Sequence, residues 1–221
     1  MKALVTGFKP YGEHPINPSS EVALGLDGET IENIGIHGRL LDVSFQTLEN
    51  QLEDLLRELQ PDIVIALGLW PGEPVIRIER YGLGMADFEI PDNAGLLLSN
   101  QPIGPQGALA HAATLPIHAI EMALGDALIP ARLSATAGTY LCNATLYLLL
   151  SLAARLRPGS RCGFIHLPYL PEQVATLMRS LRRERQMELH QRGDLASMSL
   201  DTMLKAIRIA ITVTARSLRG D

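Results

Sequence analysis

One stretch, Leu133–Leu156, changes character at a cysteine: LSATAGTYLCNATLYLLLSLAARL. Its first part is small and hydroxyl-rich, which suits a loop. Gly138 and Thr139 allow a tight turn. After Asn143, Leu146, Leu149, Leu150 and Ala153 fall at helical spacing and form an apolar stripe. The stretch therefore predicts a buried helix that opens at Cys142, with the rest of the chain packed around it. A thiol in the first turn of a helix meets the positive end of the macrodipole and unpaired backbone N–H groups. Both are expected to lower its pKa and raise the thiolate fraction. The same N–H groups can hold an oxyanion on a molecule that the sulfur attacks. The competing reading of Cys142 is a small buried hydrophobe, the usual state of an intracellular cysteine.

Composition narrows the class. A chain of 221 residues with 47% apolar and 19% charged residues is expected to fold as one soluble domain over 1–221. The net charge of −5 comes with no basic run, which excludes nucleic acid as the main partner. The arginines of LRRERQ, Leu181–Gln186, alternate with glutamate and read as a solvated helix face. Two cysteines are too few for a secreted disulfide framework, and Cys162 alternates with Phe164 in an apolar strand, so Cys162 reads as core. The apolar run Tyr140–Leu156 is too short to span a membrane and is broken by Asn143, Thr145 and Arg155. The opening MKALVTGFKPYG is too short in its apolar part for a signal peptide. A cytoplasmic protein is the expectation. No HxxxH, HExxH or CxxC spacing is present, so a metal is not expected.

Strand and helix patterns alternate along the chain. Lys2–Thr6 reads as a buried strand. A Gly- and Pro-rich loop follows, ending at Ser19 or Ser20 as a helix N-cap. Gly38–Val43 reads as a strand, Thr47–Gln60 as an amphipathic helix capped by Ser44, and Asp62–Leu67 (DIVIAL) as a strand covered on both sides. Val75–Glu79 (VIRIE) is a short strand, with Val75, Arg77 and Glu79 on one face. Ala86–Gln106 reads as an irregular excursion, and Ala108–His111 as the start of a weak helix. Further helices are expected at Pro116–Leu124, Pro171–Leu189 and Leu200–Leu218, the last capped by Ser199. Further strands are expected at Arg132–Ser134 and Arg161–Leu167. This order predicts a three-layer α/β/α sandwich with a mainly parallel, mixed sheet. In such folds the site lies at the carboxyl ends of the strands. Phe8, Trp70, Glu79 and His166 all stand at or just after strand ends. The phosphate-loop spacing of Gly7 and Gly12 lacks its Lys–Ser/Thr pair, so nucleotide binding is set aside.

A cysteine nucleophile needs a base and a group to orient that base. Of six histidines, His166 alone closes an apolar strand. Glu79 closes another and is the best orienting carboxylate. The bland alternatives are a satisfied core histidine, and a Glu79 paired with Arg77 or Arg80.

These residues sit in longer motifs: TGFKPYG with INPS, GLWPGEPVIRIER, IPDNAG, LSATAGTYLCNATLY, GFIHLPYLPEQ and SMSLDTM. Together they resemble the pyroglutamyl-peptidase I (pyrrolidone-carboxylate peptidase) family of cysteine peptidases over most of the chain. The resemblance implies an α/β/α fold and a triad of Cys142 as nucleophile, His166 as base and Glu79 as orienter. It implies release of N-terminal pyroglutamate from peptides without a cofactor, and a homodimer or homotetramer. It places Phe8, Tyr11, Ile90, Tyr140 and Leu141 around the lactam, with backbone near Leu69 as a hydrogen-bonding edge.

The chain departs from the family pattern at several of these positions. Tyr11 replaces phenylalanine, Leu69 replaces glutamine, and Arg77 stands where Ser or Thr is usual. Tyr81 and Gly82 replace an aliphatic residue and alanine. Glu89 replaces an arginine near the reaction centre, and an anion there disfavours a thiolate and an oxyanion. Either Arg77 or Arg80 neutralises Glu89, or its carboxylate turns to solvent. A catalytically weak lactam-binding homologue and an acyl hydrolase of other specificity are the alternative readings.

Overall fold

The computed structural model describes residues 1–12, 15–104, 108–184 and 195–220. In chain order the elements are β1 (Lys2–Phe8), α1 (Pro18–Leu26), β2 (Thr30–Ile31), β3 (Ile34–Leu41), α2 (Phe45–Leu59), β4 (Ile63–Leu69), β5 (Ile76–Glu79), β6 (Tyr81–Leu83), β7 (Met85–Ala86), β8 (Gln101–Pro102), β9 (Ala110–Ala112), α3 (Ile117–Asp126), β10 (Ala131–Ser134), α4 (Leu141–Leu156), β11 (Arg161–Leu167), α5 (Pro171–Glu184) and α6 (Leu200–Arg219). The main sheet runs β10-β5-β11-β4-β1-β3-β2. Strands β3, β1, β4 and β11 are parallel. Strands β5 and β10 are parallel to each other, and β5 runs antiparallel to β11. The sheet is therefore mixed and mainly parallel, as the alternating pattern predicts.

Both faces of the sheet are apolar because both are covered. Ala3, Val5, Ile63, Ile65, Leu67, Ile165 and Leu167 pack against α1, α3 and α6. Leu4, Val64, Ala66, Cys162 and Phe164 pack against α2 and α4. The period of two then carries Phe8, Gly68 and His166 onto the α2/α4 face at the carboxyl ends of β1, β4 and β11.

Three local expectations change. The N-cap of α1 is Asn17, whose Oδ1 accepts from the Ser19 N–H; Ser19 and Ser20 lie inside the helix. Pro18 takes the first helical position, where its missing N–H costs nothing, and this shifts the helix start forward. Ser44 precedes α2 but its side chain makes no cap bond; the Asp92 carboxylate accepts from the Phe45 N–H instead. Ala108–His111 is not helical: Ala110–Ala112 pairs with β6 as an antiparallel strand. The expected continuation of α5 from 185 to 189 lies outside the described residues, as do His14 and His190.

Candidate active site

Cys142 is the second residue of α4 and is half-buried. The turn before it depends on Gly138, whose φ of 78° lies in the left-handed region. Thr139 ties this turn to the 87–91 loop: its Oγ1 donates to Asp87 O at 2.6 Å, and its carbonyl accepts from the Asp87 N–H at 3.0 Å. The Tyr140 hydroxyl donates to Pro91 O at 3.2 Å. Asn143 fixes the helix from the other side. Its Oδ1 accepts from Leu83 N–H at 2.7 Å, and its Nδ2 donates to Leu83 O and Met85 O at 3.0 and 2.9 Å. Gly82 lets β6 lie on α4, since a Cβ there would be 2.6 Å from the Tyr147 nitrogen.

Strand register supplies the second group. His166 sits beside Gly68 on β4 and opposite Arg77 on β5. A Cβ on Gly68 would lie 2.8 Å from the Cys142 sulfur and 2.8 Å from Phe164. Gly68 thus leaves the space that brings the thiol down onto the sheet next to the histidine strand. His166 Nδ1 and Glu79 Oε1 are 2.8 Å apart, and both side chains are buried. A carboxylate acceptor fixes the proton on Nδ1 and leaves Nε2 as the basic atom. Trp70 and Phe164 meet the imidazole edge-on and tilted, at 5.0 and 4.7 Å between ring centroids.

Cys142 and His166 line one cavity of about 340 Å³. All six expected pocket residues, Phe8, Tyr11, Leu69, Ile90, Tyr140 and Leu141, line it too. Glu79 does not; it is fully buried behind the imidazole. Glu89 also lines the cavity, with its side chain exposed at the rim. Arg77 does not neutralise it, because its guanidinium is committed to Glu73 and Glu79.

The electrostatics reverse one expectation. Burial pushes the Cys142 thiol up to about 12, the negative charge of Glu79 adds to this, and only the cysteine's own backbone N–H opposes it. The helix end does not produce a resting thiolate, because the loss of water outweighs the dipole. Burial also lowers the pKa of His166, against the hydrogen bond and charge of Glu79. Both groups are therefore neutral at rest near pH 7. Cys162 is 1% exposed in the core, and both cysteines are free.

Two further residues contribute to the site, and the Arg77–Glu79 pair weighed as an alternative in the sequence is present beside the Glu79–His166 contact. Trp70 covers His166 and lines the cavity, a part that its place after a strand does not by itself reveal. Arg77 binds Glu79 directly, at 3.2 Å from Nε to Oε1. The alternation of VIRIE puts both on one face, which is the signal that pointed to it.

The chain is similar to known proteins along most of its length. Residues 1–217 match the pyroglutamyl peptidase family. A pyrrolidone-carboxylate peptidase of Pyrococcus furiosus is 39% identical over 219 residues, covering 99% of this chain and 100% of that one. One from Cupriavidus pinatubonensis is 41% identical over 212 residues, covering 96% of this chain and 91% of that one. A solved mutant pyrrolidone carboxyl peptidase from P. furiosus superposes with a TM-score of 0.91 at 39% identity, covering 99% of this chain and 100% of that one. With the match running through nearly its whole length, the chain belongs to the pyroglutamyl peptidase family.

Proposed function

We propose that this chain is a cysteine exopeptidase that removes N-terminal pyroglutamate from peptides, with Cys142 as nucleophile, His166 as base and Glu79 as the group that orients the base. The observation that carries this is the buried Glu79–His166 pair, 2.8 Å from Oε1 to Nδ1, beside the cavity that holds Cys142. Because thiol and imidazole are both neutral at rest, the proton leaves sulfur as sulfur attacks. His166 Nε2 takes the Sγ proton while Sγ adds to the pyroglutamyl carbonyl carbon. The unpaired N–H groups of the first turn of α4 face the developing oxyanion. The C–N bond then breaks, and His166 returns its proton to the leaving amine. Water, deprotonated by His166, cleaves the thioester and frees pyroglutamate and the thiol.

Pyroglutamate is a flat lactam without a free α-amine. Phe8, Tyr11, Ile90, Tyr140 and Leu141 suit it as apolar walls, and the backbone at Leu69 as a hydrogen-bonding edge. The single-domain, cytoplasmic, and dimer or tetramer readings rest on composition and resemblance. Among the described residues no helix is long and apolar enough to cross a membrane.

The second reading, a weak catalyst that mainly binds lactams, is favoured by the Glu89 carboxylate at the cavity rim. One assay separates the two. A fluorogenic pyroglutamyl amide should be turned over, and Cys142→Ala or His166→Ala should reduce turnover at least about a thousandfold with the fold intact. Glu79→Gln should retain measurable activity. Tight lactam binding without turnover by the unmodified protein would establish the second reading and reject the first.

A further inference from the structure

Arg77 is 6% exposed and has every arm of its guanidinium occupied. Nε donates to Glu79 Oε1 at 3.2 Å, and Nη1 to Glu73 Oε2 at 3.4 Å. Nη2 donates to Ser134 Oγ at 2.6 Å and to Thr136 O at 3.0 Å. The guanidinium carbon lies 3.7 Å from the centre of the Trp70 ring, and Trp70 in turn meets His166. One side chain therefore joins the orienting carboxylate, the loop that leads to Cys142 and the aromatic cover of the base.

Glu79 Oε1 is shared between His166 and Arg77, while Glu79 Oε2 is buried with no hydrogen-bond partner among the described residues. Both contacts of the carboxylate are therefore made by one oxygen, and Arg77 fixes where that oxygen stands for His166. The charged neighbours close the account. Arg132 binds Glu73 at 2.8 and 3.2 Å from the far side. Arg77 and Arg132 thus face Glu73 and Glu79, and the cluster is neutral when His166 and Cys142 are neutral. A proton added to His166 makes it positive. Without Arg77 the cluster would carry a buried negative charge, which an added proton would relieve.

We propose that Arg77 is a positioning residue of the reaction: it clamps Glu79, and through it the His166 imidazole, to the loop before Cys142, and its charge offsets the two carboxylates it binds. The proposal rests on the triad reading above and adds a group that the family pattern lacks at this position. Glu73, on the opposite side of Arg77, sets the size of the effect in the reverse sense.

The test is the rate at which iodoacetamide alkylates Cys142, followed by mass spectrometry across pH, with thermal melts of each variant. It needs no pyroglutamyl substrate, so a failure of the substrate reading and a failure of this proposal are separable. Arg77→Gln should move the ascending limb up by about one pH unit, the low end for loss of a nearby charge. Arg77→Lys should return the limb toward its original place at a lower rate, since an ammonium cannot reach Glu79, Glu73, Ser134 and Thr136 together. Glu73→Gln should move the limb down. Should Arg77→Gln not fold, the downward shift in Glu73→Gln and the retained limb in Arg77→Lys decide. Limbs that stay in place in Arg77→Gln and Glu73→Gln, whatever their melting temperatures, would overturn the proposal and leave Arg77 a structural residue.

Discussion

At Cys142 two effects act on one thiol, and their sizes decide its state. A helix end is worth about 0.3–1 kcal/mol near a surface, whereas each unit of pKa shift from burial is worth about 1.4 kcal/mol. Burial therefore holds the thiol neutral, and in the proposed mechanism reactivity depends on proton transfer to His166. This gives Glu89 a defined part. Its carboxylate stands exposed at the rim of the same cavity, where an anion opposes both the thiolate and the oxyanion. Exposed ionic interactions are worth about 0.2–1 kcal/mol, so Glu89→Arg should raise kcat/KM by about two- to tenfold, since it both removes an anion and adds a cation. The ascending limb of the pH–rate profile should move to lower pH, and the gain should shrink in high salt. An unchanged rate and profile at low salt would place the Glu89 charge outside the reaction's field. At this scale much of the proposed site is legible in sequence. Cys142, His166 and Glu79 each end or begin an element, so local pattern finds them. The task of Arg77 is not legible, because Ser134 and Thr136 reach it only through the pairing of β5 with β10. The direction of the Cys142 shift is hidden for the same reason: desolvation depends on what packs over the turn.

Among the elements, α4 carries Cys142, the proposed nucleophile, but does not hold its own position. Its N-cap position is Tyr140, which makes no side-chain cap bond. Asn143 instead docks the first turn onto the backbone of 83–85 through three hydrogen bonds. Asn143 is fully buried, so its removal leaves the Leu83 and Met85 groups without partners. Asn143→Ala should cost about 3 kcal/mol or more, since three backbone groups lose their partner at about 1–3 kcal/mol each. Urea unfolding should show a lower midpoint with an unchanged slope, and kcat should fall as the turn loosens. A loss below about 1 kcal/mol would mean that water replaces the lost partners. The strands and long helices of the fold are readable because burial on two faces and helical period leave strong patterns. What stays hidden is set by contacts distant in the chain. Asp92 replaces Ser44 as the acceptor at α2. Ala110–Ala112 becomes a strand because β6 offers it an edge, not because AHA has strand preference.

For the whole molecule, the buried titratable groups confine stability from both sides. His166 has a lowered pKa through burial, so the folded state binds fewer protons than the unfolded state just below pH 6.5. Its contribution is present above pH 6.5 and is lost as pH falls toward its folded value. The cysteines act in the opposite sense. Burial pushes Cys162 from 9.0 up to about 11, and Cys142 from 9.0 up to about 12. Their contributions are complete below pH 9.0 and are lost as pH rises through those folded values. Stability should therefore be flat between about pH 6.5 and pH 9 and fall on both sides. Cys162 offers the cleaner test, because it lies in the core away from the cavity. A rise of two units corresponds to about 2–3 kcal/mol between the two ends of its range. Cys162→Ala should be less stable than the parent by about 1–2 kcal/mol at pH 7, from the space left by the sulfur. As pH rises from 8.5 to 10.5 the parent should lose stability faster, so that the two urea midpoints converge. Activity at pH 7 should persist in the variant. Midpoints that stay parallel across that range would show that the Cys162 thiol ionises as readily in the fold as outside it, and that the alkaline limit lies elsewhere.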